Sequence, residues 1–225
     1  MIRRSMFGLL LMLVVSGCHS LPPPAAGLHA KYGYSIYGEF TQTQIDSIDT
    51  ALSYMEPRVI RTVKKVSFNP DIEHYTNLGS CGHCWPDGVI CLNEAGLKMS
   101  YHAVWHEAAH AYHFSLGEPG IFGSRFYSLT LRWFFIAGTV YNLPIAGQQF
   151  PANGLLTGYS TSNVVEDIAE FTEAAYSYKF GYQDATLRKM KDSGKFREDP
   201  RYAKKLRLLA EYGFISQELC DEIIK

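Results

Sequence analysis

The sequence lacks a strong charge of either sign. Its 21 Lys and Arg residues nearly balance its 22 Asp and Glu residues, which leaves a formal net charge of −1. Because the two signs are interspersed, neither a nucleic-acid-binding surface nor a basic membrane-binding patch is indicated. The sequence also lacks an internal repeat, and the apolar run from Phe126 to Tyr141 is near the short limit for a membrane span and contains Arg132. We therefore expect a globular protein with no nucleic-acid partner.

The first 18 residues have the order of a secretory signal. Two arginines precede an apolar stretch from Met6 to Val15, which is too short for a stable transmembrane helix, and small residues then lead to Cys18. A cysteine at this point resembles the lipobox of bacterial lipoproteins, which implies that Cys18 carries a lipid. In a Gram-negative host, His19, where an aspartate would imply inner-membrane retention, implies by the same resemblance an outer-membrane anchor in the cell envelope. A soluble secreted form is the alternative.

A short proline-rich segment follows the signal. Residues 19–30 contain three consecutive prolines, which favour an extended polyproline II conformation and predict a semi-rigid tether. The remaining residues, 31–225, are long enough for one domain with a sizeable core. The only membrane contact that we expect is therefore through the N-terminal lipid.

Hydrophobic spacing in residues 31–225 predicts short strands followed by helices. Strands are predicted at "TVKKVSF" and at "GVICLNE", which the turn signal Pro86-Asp87-Gly88 introduces. Helices are predicted over residues 41–57, 100–116, 126–141, 163–180 and in two segments near the C-terminus. We expect the 126–141 helix to be buried. This order is typical of an α+β fold with a helical C-terminal part.

The sequence His106-Glu107-Ala108-Ala109-His110 is an H-E-x-x-H motif on a predicted helix. Residues i and i+4 share a helix face, so that both imidazoles can reach one zinc ion, and Glu107 lies beside the water on that metal. Zinc brings the pKa of bound water to about 7, and a glutamate can then accept its proton. The motif therefore predicts a zinc site with a general base; two solvated helical histidines are the alternative.

A third ligand is expected from a second helix. The metzincin pattern is excluded because residues 113 and 116 are His and Leu. Glu118 follows His110 too closely in sequence to fold back easily, whereas Glu166 and Glu170 share one face of a later helix. One of these glutamates can complete a His-His-Glu site while another carboxylate orients a ligand histidine. The alternative for Glu166 is a capping box with Asn163.

These motifs together resemble the gluzincin peptidases related to anthrax lethal factor and to the Pro-Pro endopeptidases. In that family a tyrosine stands seven residues before the glutamate ligand, in a Y-x6-E-x-x-A-E pattern, and this sequence has the same spacing. The resemblance implies a zincin-like fold in which a small mixed sheet packs on the active-site helix. It implies the following roles: zinc ligands His106, His110 and Glu166, base Glu107, oxyanion donor Tyr159, and Glu170 behind the ligands. The segment between His110 and Tyr159 is longer than in the family.

Four cysteines remain beyond Cys18: Cys81, Cys84, Cys91 and Cys220. In an exported chain they predict up to two disulfides, with three connectivities that the sequence does not separate. The C-x-x-C spacing of Cys81 and Cys84 also occurs in thiol–disulfide enzymes, but here a turn and a strand follow instead of a helix. A structural zinc site that includes His83 is a third interpretation. We favour a disulfide-stapled loop beside the strand "GVICLNE", whose edge an extended peptide could pair with.

We therefore expect a lipid-anchored zinc metallopeptidase of the cell envelope that acts on a peptide or protein. A zinc-binding scaffold lipoprotein without turnover is the alternative from another class, although Glu107 and Tyr159 are both present. A thiol–disulfide enzyme is the second alternative. Two further histidines, His102 and His113, are expected to be structural or solvated because His102 lies two turns from His110.

Overall fold

The computed structural model describes residues 31–69, 82–98, 100–117, 122–141 and 149–225. The predicted signal 1–18, the tether 19–30, Cys81 and Glu118 lie outside the described residues. The described strands are β1 (Ser35–Tyr37), β2 (Lys65–Phe68), β3 (Gly82–Cys84) and β4 (Val89–Leu92). The described helices are α1 (Gln42–Ser53), α2 (Pro57–Ile60), α3 (Glu94–Lys98), α4 (Ser100–Ser115), α5 (Arg125–Ala137), α6 (Val164–Phe180), α7 (Thr186–Asp192), α8 (Lys195–Glu198), α9 (Pro200–Tyr212) and α10 (Gln217–Ile224).

The described residues form the predicted α+β arrangement, with one small mixed sheet and a helical C-terminal half. The strand order is β1-β2-β4-β3. Strands β1, β2 and β4 are parallel, and β3 pairs antiparallel with β4. The turn between β3 and β4 needs Gly88, which has φ +85° and whose Cβ would stand 2.1 Å from the Thr62 carbonyl oxygen. A side chain at this position would therefore disrupt the junction with the end of α2.

The strand order corrects one expectation. We expected a peptide to pair with the edge of "GVICLNE", but this segment is β4, which lies between β2 and β3. Among the residues that the structure describes, the edge strand on this side is β3, which carries Gly82, His83 and Cys84. Strand order depends on contacts between segments that are distant in sequence, so the local patterns of β2 and β4 could not show that both strands lie inside the sheet.

Helix α4 is the centre of the fold. It packs against α6, α1 and the strands β3 and β4. Its buried positions include four alanines, and small side chains let neighbouring elements approach closely. Trp105 is fully buried, and its indole N–H donates a hydrogen bond of 2.8 Å to the Ala51 carbonyl of α1. The helix that carries both motif histidines is therefore fixed on several sides.

Helix α5 corrects a second expectation, because it is buried on one side only. Its inner face, which includes Leu129 and Trp133, packs on α9 and α6. Leu131, Phe134 and Phe135 are exposed, Phe135 at 73% of its surface. The segment is rich in apolar residues, so its composition predicted burial, but neighbouring elements cover only one face of the helix.

Helix α9 is joined to α6 by a buried ion pair. Lys205 and Asp167 have fully buried side chains in direct contact. Asp167 also accepts hydrogen bonds of 2.7 Å from the Trp133 indole and the Tyr141 hydroxyl, and Lys205 donates one of 2.6 Å to the Gly154 carbonyl. All three donors contact Asp167 Oδ2, and its buried Oδ1 has no hydrogen-bond partner among the described residues. The network links α5, α6 and α9.

Candidate active site

Helix α4 presents His106 and His110 on one face, as their i and i+4 spacing predicts. Their relative exposures are 9% and 7%, and their Nε2 atoms lie 3.1 Å apart. Two imidazole nitrogens at this distance point to a common place. The third group at that place is Glu166 of α6, whose Oε2 is 3.0 Å from His106 Nε2 and 3.2 Å from His110 Nε2.

The N-terminus of α6 explains how Glu166 reaches the histidines. Asn163 is the N-cap, and its side-chain oxygen accepts hydrogen bonds from the backbone N–H groups of Val165 and Glu166. The Glu166 carboxylate extends to the two histidines. The expected alternative, a capping box in which Glu166 bonds back to Asn163, is therefore not formed: Asn163 caps α6 with its own side chain, and the Glu166 carboxylate lies at the histidines.

The three atoms fit the donor set of a divalent metal. A tetrahedral zinc ion with bonds of about 2.0–2.2 Å separates its ligand atoms by about 3.3–3.6 Å. The observed separations of 3.0, 3.1 and 3.2 Å fall slightly below that range. Two imidazole nitrogens and one carboxylate oxygen are also the chemical types that zinc prefers. His106, His110 and Glu166 therefore form a group that could hold a metal ion.

The electrostatics of this group favour a positive charge at its centre. Burial opposes ionisation of both Glu166 and His106. Hydrogen bonds to the two histidines nevertheless hold the pKa of Glu166 well below its usual range. Glu166 and Glu173 raise the pKa of His106 well above its usual value. A proton on His106 and a metal ion would therefore satisfy the same carboxylates and compete for them.

Glu107 lies beside the ligands and against the edge strand. It is 6% exposed, and it lines the same cleft as His106 and His110. Burial raises the pKa of its carboxyl, while the two histidines oppose that rise. A carboxylate of raised pKa next to a metal-binding group has the proton affinity that a general base needs.

Tyr159 lies across the cleft from the helix α4 motif. It begins the 3-10 turn Tyr159–Thr161, just before α6, and its ring centroid is 6.0 Å from that of His106. It is 38% exposed. Burial, followed by the carboxylates of Glu166 and Glu107, raises the pKa of the phenol well above its usual value. The hydroxyl therefore stays protonated and can donate a hydrogen bond into the cleft.

The cleft itself is about 250 Å³ and is bounded on one side by β3. Its walls include the residues Gly82, His83, Cys84, Phe114, Tyr159 and Val165. His83 lines this wall, although from the sequence we considered it only as a member of a structural zinc site with the cysteines. Burial lowers its pKa, and nearby His110 adds to this effect. No pattern in the sequence indicated this placement, because β3 was not among the predicted strands and β4 and α3 separate it from the motif helix.

Two further carboxylates of α6 stand behind the ligands, and their contacts differ. Glu173 Oε2 is 3.4 Å from His106 Nδ1, whereas Glu170 Oε1 is 3.7 Å from the same nitrogen. Glu173 also contacts His102 Nδ1 at 2.9 Å through its other oxygen. The structure thus places Glu173, which we did not predict to orient a ligand, nearer His106 than Glu170. His110 Nδ1 is buried with no hydrogen-bond partner among the described residues.

The pKa values of the two rear carboxyl groups diverge. Burial, with the nearby charge of Glu173, raises the pKa of Glu170 to about 7. Glu173 is also buried, but hydrogen bonds to His102 and His106 lower its pKa. Glu173 is therefore the ionised partner of the two histidines. With His106, the two carboxylates form a second group that could hold a cation, and it shares that histidine with the first.

The described cysteines carry free thiols. Cys84, Cys91 and Cys220 are all buried and unbridged. Register places Cys84 opposite Ile90 and Cys91 opposite His83, so the side chains of Cys84 and Cys91 leave opposite faces of the β3–β4 ladder. A bond between these two is therefore excluded by the register. The predicted staple stays a prediction that depends on Cys81.

Comparisons with known proteins give no relative: no family model, no curated protein and no solved structure matches this chain. Across the ranges that the structure describes, no helix combines the length and apolar character needed to cross a membrane.

Proposed function

We propose that this chain is a zinc-dependent peptidase of the gluzincin type with a zincin-like fold. The observation that carries the proposal is the meeting of five side chains at one cleft: His106, His110, Glu166, Glu107 and Tyr159. The first three would hold zinc. A bound zinc ion would supply a water of lowered pKa and would polarise a substrate carbonyl.

The protein groups divide the remaining chemistry between them. Glu107 accepts the proton of the attacking water and passes it to the amine that leaves, so that one peptide bond and one water become a carboxylate and an amine. The Tyr159 hydroxyl donates a hydrogen bond to the oxygen on which negative charge develops. The raised pKa values of both groups support these roles, since the carboxylate gains proton affinity and the phenol keeps its proton.

The edge strand suggests how a substrate would lie. Strand β3 borders the cleft and pairs with β4 on one side, and no other described strand pairs with its other side. An extended peptide that paired with Gly82–Cys84 would pass beside Glu107. Substrate would therefore be recognised in part through its backbone.

The thiol–disulfide alternative gains no support from Cys84. A reactive thiol needs a lowered pKa and access to solvent. Cys84 is 5% exposed, and burial raises its pKa far above the ordinary value. We propose further that the chain acts in the cell envelope, held by a lipid on Cys18.

The test is cleavage of a diverse peptide pool by the zinc-loaded protein, read by mass spectrometry. Glu107→Gln is the matched control because it keeps the shape of the side chain and removes the base. We expect cuts by the wild type that disappear in the variant and after chelation, while the variant retains zinc. Equal cutting by both proteins, or no cutting by zinc-loaded wild type across the pool, would contradict the proposal.

A further inference from the structure

The turn that carries Tyr159 is built around one hydroxyl group. The Thr157 Oγ1 atom accepts hydrogen bonds from the backbone N–H groups of Tyr159 at 3.1 Å and Ser160 at 3.2 Å. It also lies 2.6 Å from Glu170 Oε2. A hydroxyl has a single proton, and both N–H groups already point at its oxygen, so that proton is donated to Glu170.

Other bonds of the turn are local. The Ser162 N–H donates to the Tyr159 carbonyl, and the Thr161 N–H and hydroxyl donate to the Gly158 carbonyl. The bond from Thr157 to Glu170 differs because it joins the turn to α6, thirteen residues later in the chain. Glu170 therefore ties the turn to the same helix that carries Glu166, one helical turn away.

Glu170 and Glu173 thus contact different parts of the site. Glu170 is 3.7 Å from His106 Nδ1, beyond hydrogen-bond distance, and its short contact is with Thr157. Glu173 is the nearer of the two to His106 and also binds His102. Both side chains are largely buried, with exposures of 14% and 23%. They line a cavity of about 270 Å³ together with Thr157 and His102.

We infer that Glu170 is a positioning residue for Tyr159 and acts through the Thr157 hydroxyl, whereas Glu173 orients the ligand His106. The role of Tyr159 in this inference rests on the proposed function. The claim that Glu170 holds the turn through Thr157 does not rest on it, because that bond stabilises the turn whether or not a substrate is cleaved.

Two variants of Glu170 distinguish a residue that anchors the turn from one that supports a metal ligand. A turn anchor needs a hydrogen-bond acceptor, and the amide oxygen in Glu170→Gln still accepts, whereas Glu170→Leu removes the acceptor. A residue that supports a metal ligand by its charge would lose that role in both variants. On the other side of the bond, Thr157→Val removes the hydroxyl and Thr157→Ser keeps it.

The first measurement is amide hydrogen exchange of residues 157–162 in the metal-free protein. In Thr157→Val and Glu170→Leu we expect the Tyr159 and Ser160 amides to exchange roughly tenfold faster, since each variant removes a bond that holds the turn. Thr157→Ser and Glu170→Gln should stay close to the wild type. Exchange of amides in α4 and α9 serves as the folding control. Unchanged exchange in Thr157→Val and Glu170→Leu would overturn the inference.

The second measurement is zinc affinity by competition with a chelator. We expect Glu173→Gln to lose about 10- to 100-fold in affinity with unchanged exchange at the turn. Thr157→Val and Glu170→Gln should bind zinc within about threefold of the wild type, because the ligands keep their partners. A loss of zinc affinity in Glu170→Gln as large as in Glu173→Gln would instead make Glu170 a support of His106 and overturn the inference.

The third measurement links the turn to turnover. Thr157→Val should lower kcat roughly tenfold or more with little change in KM, and it should lower kcat no further in a Tyr159→Phe background. An additive loss in the double variant would overturn the inference. If the wild type cuts no peptide, the proposed function fails, whereas the exchange and zinc results still decide how Glu170 acts.

Discussion

A methyl group at Gly82 would stand 3.0 Å from both Cγ and Oε1 of Glu107. The edge strand β3 therefore approaches the candidate base so closely that a side chain has no room there. Gly82→Ala should displace the Glu107 carboxylate by a few tenths of an ångström or more. A misplacement of about 1 Å can lower the rate by about 100-fold, so we expect this smaller shift to lower kcat by about tenfold. The check is steady-state kinetics beside zinc content, which should be unchanged; full activity would show that Glu107 can move without cost.

Tyr159→Phe tests the oxyanion donor directly. The phenol keeps its proton because burial and the carboxylates of Glu166 and Glu107 raise its pKa. Removal of a single donor of this kind costs about 10²- to 10³-fold in kcat. We expect KM and zinc content to stay close to the wild type. A variant with unchanged kcat would remove Tyr159 from the mechanism.

Zinc binding should release protons, and its affinity should fall as the pH is lowered. The pKa of His106 is raised in the metal-free protein, so this imidazole still holds a proton near neutral pH, which the metal must displace. We expect apparent zinc affinity to increase by about tenfold per pH unit for each proton released. Calorimetry in buffers of different ionisation enthalpy measures the number of protons. Binding without proton release at pH 7 would contradict this expectation.

His113 should make the fold sensitive to acid. Its Nε2 is 3.2 Å from the Thr130 hydroxyl, which itself donates to the Phe126 carbonyl, so Nε2 carries the proton. The buried Nδ1 has no hydrogen-bond partner among the described residues. Burial, with nearby His110 adding to it, lowers the pKa of His113 from 6.5 to about 3.

The sign of the pH effect follows from this lowered pKa. Between pH 6.5 and 3, His113 is protonated in the unfolded chain but neutral in the folded protein. The free energy of unfolding therefore decreases as the pH falls through this window. The contribution to the slope approaches about 1.4 kcal/mol per pH unit. His113→Phe keeps the ring that stacks on Phe126 and should flatten the slope. Urea unfolding at several pH values measures it, and equal slopes for both proteins would exclude His113 as the cause.

Lys205→Met should destabilise the fold although it lies outside the cleft. The variant leaves Asp167 buried without its cation, which typically costs about 3–5 kcal/mol. The double variant Lys205→Met/Asp167→Asn should recover part of that loss, because an amide oxygen still accepts from Trp133 and Tyr141. Urea denaturation gives the comparison; a loss below about 1 kcal/mol in the single variant would show that Asp167 is stabilised by other groups.

Local signals in the sequence predicted much of this molecule. Thr41 and Gln44 form a capping box at the start of α1, and Asn163 caps α6, where the sequence placed both helices. The helical spacing of His106 and His110 correctly predicted that their Nε2 atoms meet. Short-range physics determines all of these features, since each depends on residues within about one helical turn.

The features that the sequence did not predict depend on how distant elements meet. Glu170 and Glu173 follow Glu166 on one side of α6, and only the placement of that helix beside α4 decides which of them approaches His106. The exposure of Phe135 also depends on distant elements. Phenylalanine is typical of a protein core, but no neighbouring element covers this side chain among the described residues. Spacing within a single helix contains no information about either outcome.

Helix α6 carries two consecutive carboxylates that face opposite surroundings. Glu166 reaches the cleft, and Asp167, about 100° further around the helix, is held in the core by Lys205, Trp133 and Tyr141. Any roll of the helix about its long axis that withdrew Glu166 from the histidines would also drag Asp167 out of this network. The contacts of Asp167 in the core thus oppose rotation of α6 about its axis. They thereby fix the orientation of Glu166 in the metal-free protein.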